Sequence, residues 1–152
     1  MFFSNSNIDT EEEFARRLES ARKVAEAESV EIAVDRYDHA AWLEEVAKGF
    51  EDEPEKGARC ARCFRFSLSR AAEFAHSHGF DDFTTSLTVS PHKVSSVVFA
   101  AGAEAGADFI PEDFKKRGGF LLSTRRAAEL GLYRQNYCGC EFSRRAAKGI
   151  AE

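Results

Sequence analysis

The chain has 152 residues, a formal net charge of −5, 43% hydrophobic and 31% charged residues. That length suits one domain, and fourteen Phe with one Trp can fill its core. No apolar run approaches the roughly 20 residues of a membrane helix, no basic segment leads into an apolar stretch as in a secretory leader, and the acidic balance excludes nucleic-acid binding by bulk charge; a cytoplasmic protein with no membrane partner is expected.

Residues 1–4 read as the end of a strand, and 4–7 as a loop. Thr10, followed three residues later by Glu13, has the spacing of a capping box. It predicts a helix to about Glu28 with Phe14, Leu18, Ala21 and Ala25 along one stripe. Val30, Ile32 and Val34 alternate, which predicts a strand over 30–35 with Asp35 at its end. Asp38 is placed to cap a second helix that buries Trp42, Leu43, Val46 and Ala47 and stops near Gly49. Strand–helix alternation of this kind predicts an α/β layer fold.

An acidic connection over 51–57 leads into Cys60-Ala61-Arg62-Cys63. A helix is predicted over 60–78, with Phe64, Leu68, Ala71 and Ala75 on its stripe and Gly79 at its stop. Cys60 and Cys63 then share one face of the opening turn, where free amides and the helix dipole favour thiolate. Residues 83–87 read as a strand. Beyond it lies the polar loop 88–93 with His92 and Lys93, at the kind of strand end where open α/β sheets bind ligands. Val94, Val97, Val98 and Ala101 predict a helix, and 107–110 a short strand. After the basic turn 115–120, Ser123 is expected to cap a helix through Leu130 that Gly131 stops. Tyr133, Arg134, Gln135 and Tyr137 then approach Cys138-Gly139-Cys140. An aromatic ring, a guanidinium and an amide together suit a stacked base and a phosphate. A final amphipathic helix is predicted over 143–151. Residues 114–148 carry nine Lys or Arg and two acids, a local balance of +7 on an otherwise acidic chain. That third is either a phosphate-facing surface or a solvated, salt-bridged one.

There are no cysteines outside the two clips, Cys60/Cys63 and Cys138/Cys140. Two close pairs far apart in sequence predict one four-thiolate site assembled by folding. Three chemistries fit: a zinc that staples the fold, an iron–sulfur cluster that transfers electrons, or a dithiol–disulfide pair in either clip. Spacing favours zinc, but zinc knuckles usually sit in small ribbons, whereas about 75 residues of α/β pattern lie between these clips.

Along nearly its whole length the sequence resembles the cobalamin-independent epoxyqueuosine reductases of queuosine biosynthesis in transfer RNA. The likeness is carried by Phe2-Phe3-Ser4-Asn5-Ser6-Asn7-Ile8, Arg36-Tyr37-Asp38, Glu53-Pro54-Glu55-Lys56-Gly57-Ala58-Arg59-Cys60-Ala61-Arg62-Cys63-Phe64-Arg65, Gly79-Phe80-Asp81-Asp82-Phe83-Thr84-Thr85-Ser86-Leu87, Ser90-Pro91-His92-Lys93, Asp113-Phe114-Lys115-Lys116-Arg117-Gly118-Gly119-Phe120 and Leu132-Tyr133-Arg134-Gln135-Asn136-Tyr137-Cys138-Gly139-Cys140. It implies a single α/β domain over 1–152: a single-layer, mostly parallel sheet flanked by helices, like the adenine-nucleotide α-hydrolases, with a helical C-terminal part carrying the second clip. Relatives open with a strand and an adjacent cysteine pair ahead of the segment matching Phe2, so the domain is expected to lack that first strand. The resemblance further implies an iron–sulfur cluster of the 4Fe-4S type, an additional iron, an electron donor, and reduction of epoxyqueuosine to queuosine at the wobble position of transfer RNA. Cys60, Cys63, Cys138 and Cys140 match positions expected to serve the metal centre. Asp35 is the expected oxygen ligand of the iron, His92 the proton donor, and Lys93, Tyr133, Arg134 and Gln135 the substrate contacts. The alternatives from the residues alone are a zinc-stapled transfer-RNA-binding module without catalysis and a thiol-redox protein.

Overall fold

A computed structural model of the protein describes residues 1–106 and 108–148, with side chains through Arg144. The architecture is α/β and mostly helical, with one two-stranded parallel sheet. The chain divides into two compact units, one formed by Met1–Glu51 with the segment from Ala127 onward, the other by Asp52–Arg126.

In the first unit, β1 (Phe2–Phe3) pairs in parallel with β2 (Ala33–Val34). Between them runs α1 (Glu11–Ala27). The Thr10 hydroxyl accepts from the Glu13 amide at 3.2 Å and so satisfies one of the helix's free donors. The Glu13 carboxylate turns instead to Arg17, 2.7 Å away, and to the Tyr133 hydroxyl. The expected stripe is inward: Ala25 is buried, and Phe14, Leu18 and Ala21 are half-buried. The predicted strand over 30–35 shrinks to Ala33–Val34 because the end of α1 claims its start. Ser29 takes φ +53°, its amide donates to the Glu26 carbonyl, and Val30 donates back to Ala25 at 2.9 Å. This is the crossed closure of a helix with a left-handed residue after its last turn, and it leaves Val30 exposed.

Asp38 caps α2 (His39–Trp42) as expected, its carboxylate accepting from Ala41 at 3.0 Å. The helix then widens into a π turn, Leu43–Ala47, in which Lys48 donates to Leu43. Trp42, Val46 and Ala47 are buried, whereas Leu43, expected inside, is 36% exposed. Gly49 leaves the turn at φ +78°. The core of this unit gathers Ile8, Ala25, Trp42, Val46 and Ala47. Aromatic contacts lengthen it: Phe3 on Phe14 at 5.3 Å, Phe14 on Tyr37 at 4.7 Å, and Trp42 on Phe142 of α6 (Glu141–Lys148) at 6.3 Å. α6 starts two residues before the predicted 143–151 helix; residues 149–151 of that prediction lie outside the described residues.

The second unit packs α3 (Ala58–Ser77) on α4 (Ser95–Ala105). α3 begins two residues before Cys60. Phe64, Leu68 and Ala75 are buried and Ala71 half-buried, and Gly79 leaves the helix at φ +72°, all on the predicted pattern. The core joins Phe64 and Leu68 to Val98, Ala101 and Phe109. Gly102 lets the Phe109 ring lie on α4, since a Cβ there would stand 2.4 Å from the ring. The strands predicted over 83–87 and 107–110 reduce to one parallel bridge, Phe83 with Phe109; Ala107 itself lies outside the described residues. The reason is local. The Thr85 hydroxyl accepts from Leu87 at 3.3 Å and starts a 3₁₀ turn, Ser86–Val89, before a ladder can extend. Ser123 is likewise displaced from its expected role. α5 (Gly119–Glu129) opens four residues earlier, so Ser123 sits inside it and donates to the Phe120 carbonyl at 2.9 Å. Gly131, at φ +60°, closes that helix as predicted.

Candidate metal and substrate site

The first thiol clip is set by its own neighbourhood. Glu53 folds back so that its carboxylate accepts from the Ala58 amide at 2.8 Å, capping α3 from outside. Gly57 is required there, because a Cβ would lie 2.5 Å from that carboxylate and 3.0 Å from the Pro54 carbonyl. Lys56 takes φ +73° and directs its amide to the Cys60 sulfur at 3.2 Å. Cys60 therefore sits in the first turn of a 20-residue helix, with an N–H aimed at its Sγ and the positive end of the dipole behind it. Cys63 follows one turn later on the same side. The acidic connection is thus part of the clip's scaffold.

Cys60 opens onto a shallow solvent-facing cleft, lined on its other sides by Glu55, Lys56, Phe64, His92, Lys93, Val94 and Val97. Just before the turn that carries His92 and Lys93, Thr88, fully buried, ties the chain to 112–114: it donates to the Glu112 carbonyl at 2.8 Å and accepts from the Phe114 amide. His92 is exposed, its amide held by the Ser90 hydroxyl at 3.3 Å. The Lys93 ammonium stands 5.6 Å over the Phe64 ring. An imidazole, an ammonium and a thiol thus converge on one cleft floored by apolar carbon. Nearby in the same unit, Lys115 pairs with Asp113 at 3.1 Å, while Lys116 and Arg117 are exposed. Desolvation pushes the Asp113 carboxyl up, but bonds from Lys115 and Ser95 outweigh it and hold it below its usual range.

The second clip belongs to the other unit and is held from a distance in sequence. Gly139, at φ +139°, is packed so closely that a Cβ would meet the Asn7 amide nitrogen at 2.9 Å and Arg17 at 3.2 Å. Its carbonyl accepts from Asp9 at 3.1 Å. Arg17 donates to the carbonyls of Cys138 (2.8 Å) and Tyr137 (3.3 Å), and its guanidinium lies 5.2 Å from the centre of the Tyr137 ring. Cys140 is buried, and its thiol lies 3.5 Å from the Ser143 hydroxyl, which donates to the Cys140 carbonyl at 2.9 Å. Burial first, then the Glu13 and Asp9 carboxylates, push the Tyr137 phenol above its ordinary pKa.

Asp35 stands at the end of β2 as expected, and both its oxygens are engaged: Oδ2 by the Ser4 hydroxyl at 2.5 Å, Oδ1 by the Arg36 amide at 2.9 Å. Of the three expected substrate contacts in this unit, Arg134 and Gln135 are exposed. Tyr133 is half-buried, with Arg16 5.0 Å over its ring and its hydroxyl donated to Glu13. Glu13, Arg17, Asn7 and Ser143 surround the second clip; the sequence marks Glu13 as half of a capping box with Thr10 but marks none of the four as a partner of these thiols. The one available signal was Glu13 and Arg17 at i, i+4 on a helix face. None of the four cysteines is in a disulfide. Among the described residues of either unit, no three His, Cys, Asp or Glu side chains form a metal-holding group. The donor set itself, two thiols in each clip, suits a thiophilic metal or iron–sulfur centre.

The family model for the QueH epoxyqueuosine reductases matches residues 1–146. The epoxyqueuosine reductase QueH of Streptococcus pyogenes is 35% identical over 153 residues, covering 94% of this chain and 60% of that protein. That of Thermotoga maritima is 36% identical over 149 residues, covering 93% and 77%. That of Acinetobacter baylyi is 34% identical, covering 95% and 68%.

Proposed function

This chain belongs to the QueH epoxyqueuosine reductase family, and from that premise we propose that it reduces the epoxide of epoxyqueuosine, at the wobble position of transfer RNA, to the alkene of queuosine. The reaction is cobalamin-independent and cytoplasmic. The observation that carries this reading is the single cleft shared by Cys60, His92 and Lys93.

The net change takes two electrons and two protons, breaks both C–O bonds of the epoxide and releases water. The thiols of each clip, Cys60 with Cys63 and Cys138 with Cys140, would be ligands of a 4Fe-4S cluster or an additional iron, which would supply electrons one at a time from a separate donor. The protein's own residues do the rest. The helix start and the Lys56 amide favour the thiolate at Cys60. His92, exposed at the cleft rim, delivers a proton to the departing oxygen. Lys93 holds a phosphate or the charge that develops on that oxygen, beside the apolar lining of Phe64, Val94 and Val97. Asp35, whose carboxylate accepts from Ser4 and from the Arg36 amide, would be an oxygen ligand of the iron. Arg134 and Gln135, free on the surface of their unit, contact the modified base or its backbone, with the Tyr133 ring beside them. The fold reading carried with this function is the adenine-nucleotide α-hydrolase type.

The test is anaerobic purification followed by iron and sulfide analysis, an absorption spectrum, and mass spectrometry of nucleosides from epoxyqueuosine transfer RNA. Iron with sulfide, a broad visible band bleached by dithionite, and loss of one oxygen mass from the nucleoside are expected. One zinc with no colour and no turnover overturns the reading in favour of a transfer-RNA-binding module; a reversible Cys60–Cys63 disulfide without metal overturns it in favour of a thiol-redox protein. Transfer-RNA affinity should fall steeply with salt. Replacing the exposed Lys116 and Arg117 by Ala should flatten the slope of log affinity against log salt by up to about two, roughly one for each lost phosphate contact.

A further inference from the structure

Arg17 reaches across 121 residues of sequence to the Cys138 carbonyl. Every part of its guanidinium is used: Nη1 donates to Cys138, Nη2 to Tyr137, Nε to Glu13 at 2.7 Å, and its face covers the Tyr137 ring. Glu13 is held in turn by the Tyr133 hydroxyl, at 3.2 and 3.1 Å from its two oxygens. The Arg17 and Glu13 side chains are only 10% and 9% exposed. A buried ion pair of this kind is a poor way to add stability, since apolar residues of similar volume often do as well. What it provides here is a rigid two-pronged fork, which only a guanidinium offers, set on two successive carbonyls of the thiol clip. Gly139 packs against the same fork, at 3.2 Å from Arg17 for a notional Cβ.

We propose that Arg17 is a positioning residue for the second thiol clip. Through the Cys138 and Tyr137 carbonyls it fixes the direction in which Cys138 and Cys140 present their sulfurs, and Glu13 with Tyr133 fixes Arg17. The inference rests on the reading of that clip as a pair of metal ligands, and it adds residues that stand outside the ligand set, as partners behind metal ligands commonly do.

The test uses the full-length chain with Arg17→Lys, which keeps the charge and the pairing with Glu13 but has no fork, and with Arg17→Gln. Each is treated anaerobically with chelator and then with iodoacetamide, and alkylation at each cysteine is followed by peptide mass spectrometry. Cys60 and Cys63 serve as the internal reference. The expected result is a rise in alkylation of Cys138 and Cys140 relative to Cys60 and Cys63 in both variants. After reconstitution, affinity for iron should fall roughly 10- to 100-fold. Tyr133→Phe should move the same ratio in the same direction by less. If Arg17→Gln fails to fold, Arg17→Lys decides alone. An unchanged alkylation ratio in folded Arg17→Lys, even with a lower melting temperature, overturns the proposal. Absence of iron from the unmutated chain would instead overturn the metal reading, and the alkylation ratio would still judge the fork.

Discussion

Cys60 and Cys63 owe their setting to hydrogen bonds spanning four and five residues, from Lys56 to Cys60 and from Ala58 to Glu53. Cys138 owes its setting to bonds spanning 120 and 121 residues, from Arg17 to the Tyr137 and Cys138 carbonyls, while Cys140 is also held by Ser143 three residues on. One clip is written into a contiguous stretch that caps its own helix. The other is a loop whose shape is imposed by a helix near the far end of the chain. The difference teaches that the same donor chemistry can rest on local rules or on tertiary assembly, and that the two fail in different ways. A locally built clip tolerates damage elsewhere. A clip held by distant side chains is lost with the core that positions them.

The largest break in this comparison should come from Trp42→Ala. Trp42 is 1% exposed and carries the contact to Phe142 beside the second clip. Removing it should cost about 3–5 kcal/mol. Hydrogen exchange should show amides of α1 and α6 losing protection while those of α3 and α4 keep theirs; equal loss in both sets would erase the distinction between the two units. A smaller effect sharpens the local side. Glu53→Ala removes the external cap of α3 and should cost about 1 kcal/mol, as other cap losses do. It should speed exchange of the first-turn amides of α3 and change the rate at which Cys60 reacts with iodoacetamide while leaving Cys138 unaffected; equal changes at both would contradict local control.

The smallest effect is alkaline. Burial and neighbouring carboxylates raise the phenols of Tyr37 and Tyr137 above the ordinary 10.0, and both belong to the first unit. A raised folded pKa favours the neutral phenol. Its contribution to stability is complete below the unfolded value of 10.0 and is lost as pH rises through the folded values, because the unfolded chain releases its protons first. Ultraviolet titration of tyrosinate combined with urea unfolding should show stability falling from about pH 10 upward. The fall should weaken in Tyr137→Phe; an unchanged curve would show that the phenol environments matter little.

The same division explains what could be read from the sequence. The Thr10 and Asp38 caps, the apolar stripes of α1 and α3, and the stops at Gly79 and Gly131 are contests between neighbours, and the structure keeps them. The cleft was partly legible too, because the 3₁₀ turn and α4 bring His92 and Lys93 to Cys60 within one unit. The strands were over-read. Val30 looks like a strand residue until the end of α1 takes its amide, and Thr85 until its hydroxyl starts a turn. Pattern alone cannot weigh a ladder against a closure that needs only one favourable dihedral. Arg17 and Glu13 were invisible as parts of the second clip, since nothing within ten residues of either announces Cys138.

The π turn at Leu43–Ala47 holds one residue more per hydrogen-bonded loop than the helix it continues. It is, in effect, an insertion already absorbed. Across it Val46 and Ala47 are buried, as is Trp42 before it, while Leu43 is exposed. Deleting one residue here would tighten the turn to an ordinary helix, swing whatever follows by about 100°, one helical step, and put Leu43 in contest with Val46 for the interior. Length variation in this stretch is therefore a change of orientation for the chain that leads on to Gly49, and a one-residue gap in an aligned relative marks a different rotation there rather than a shorter loop.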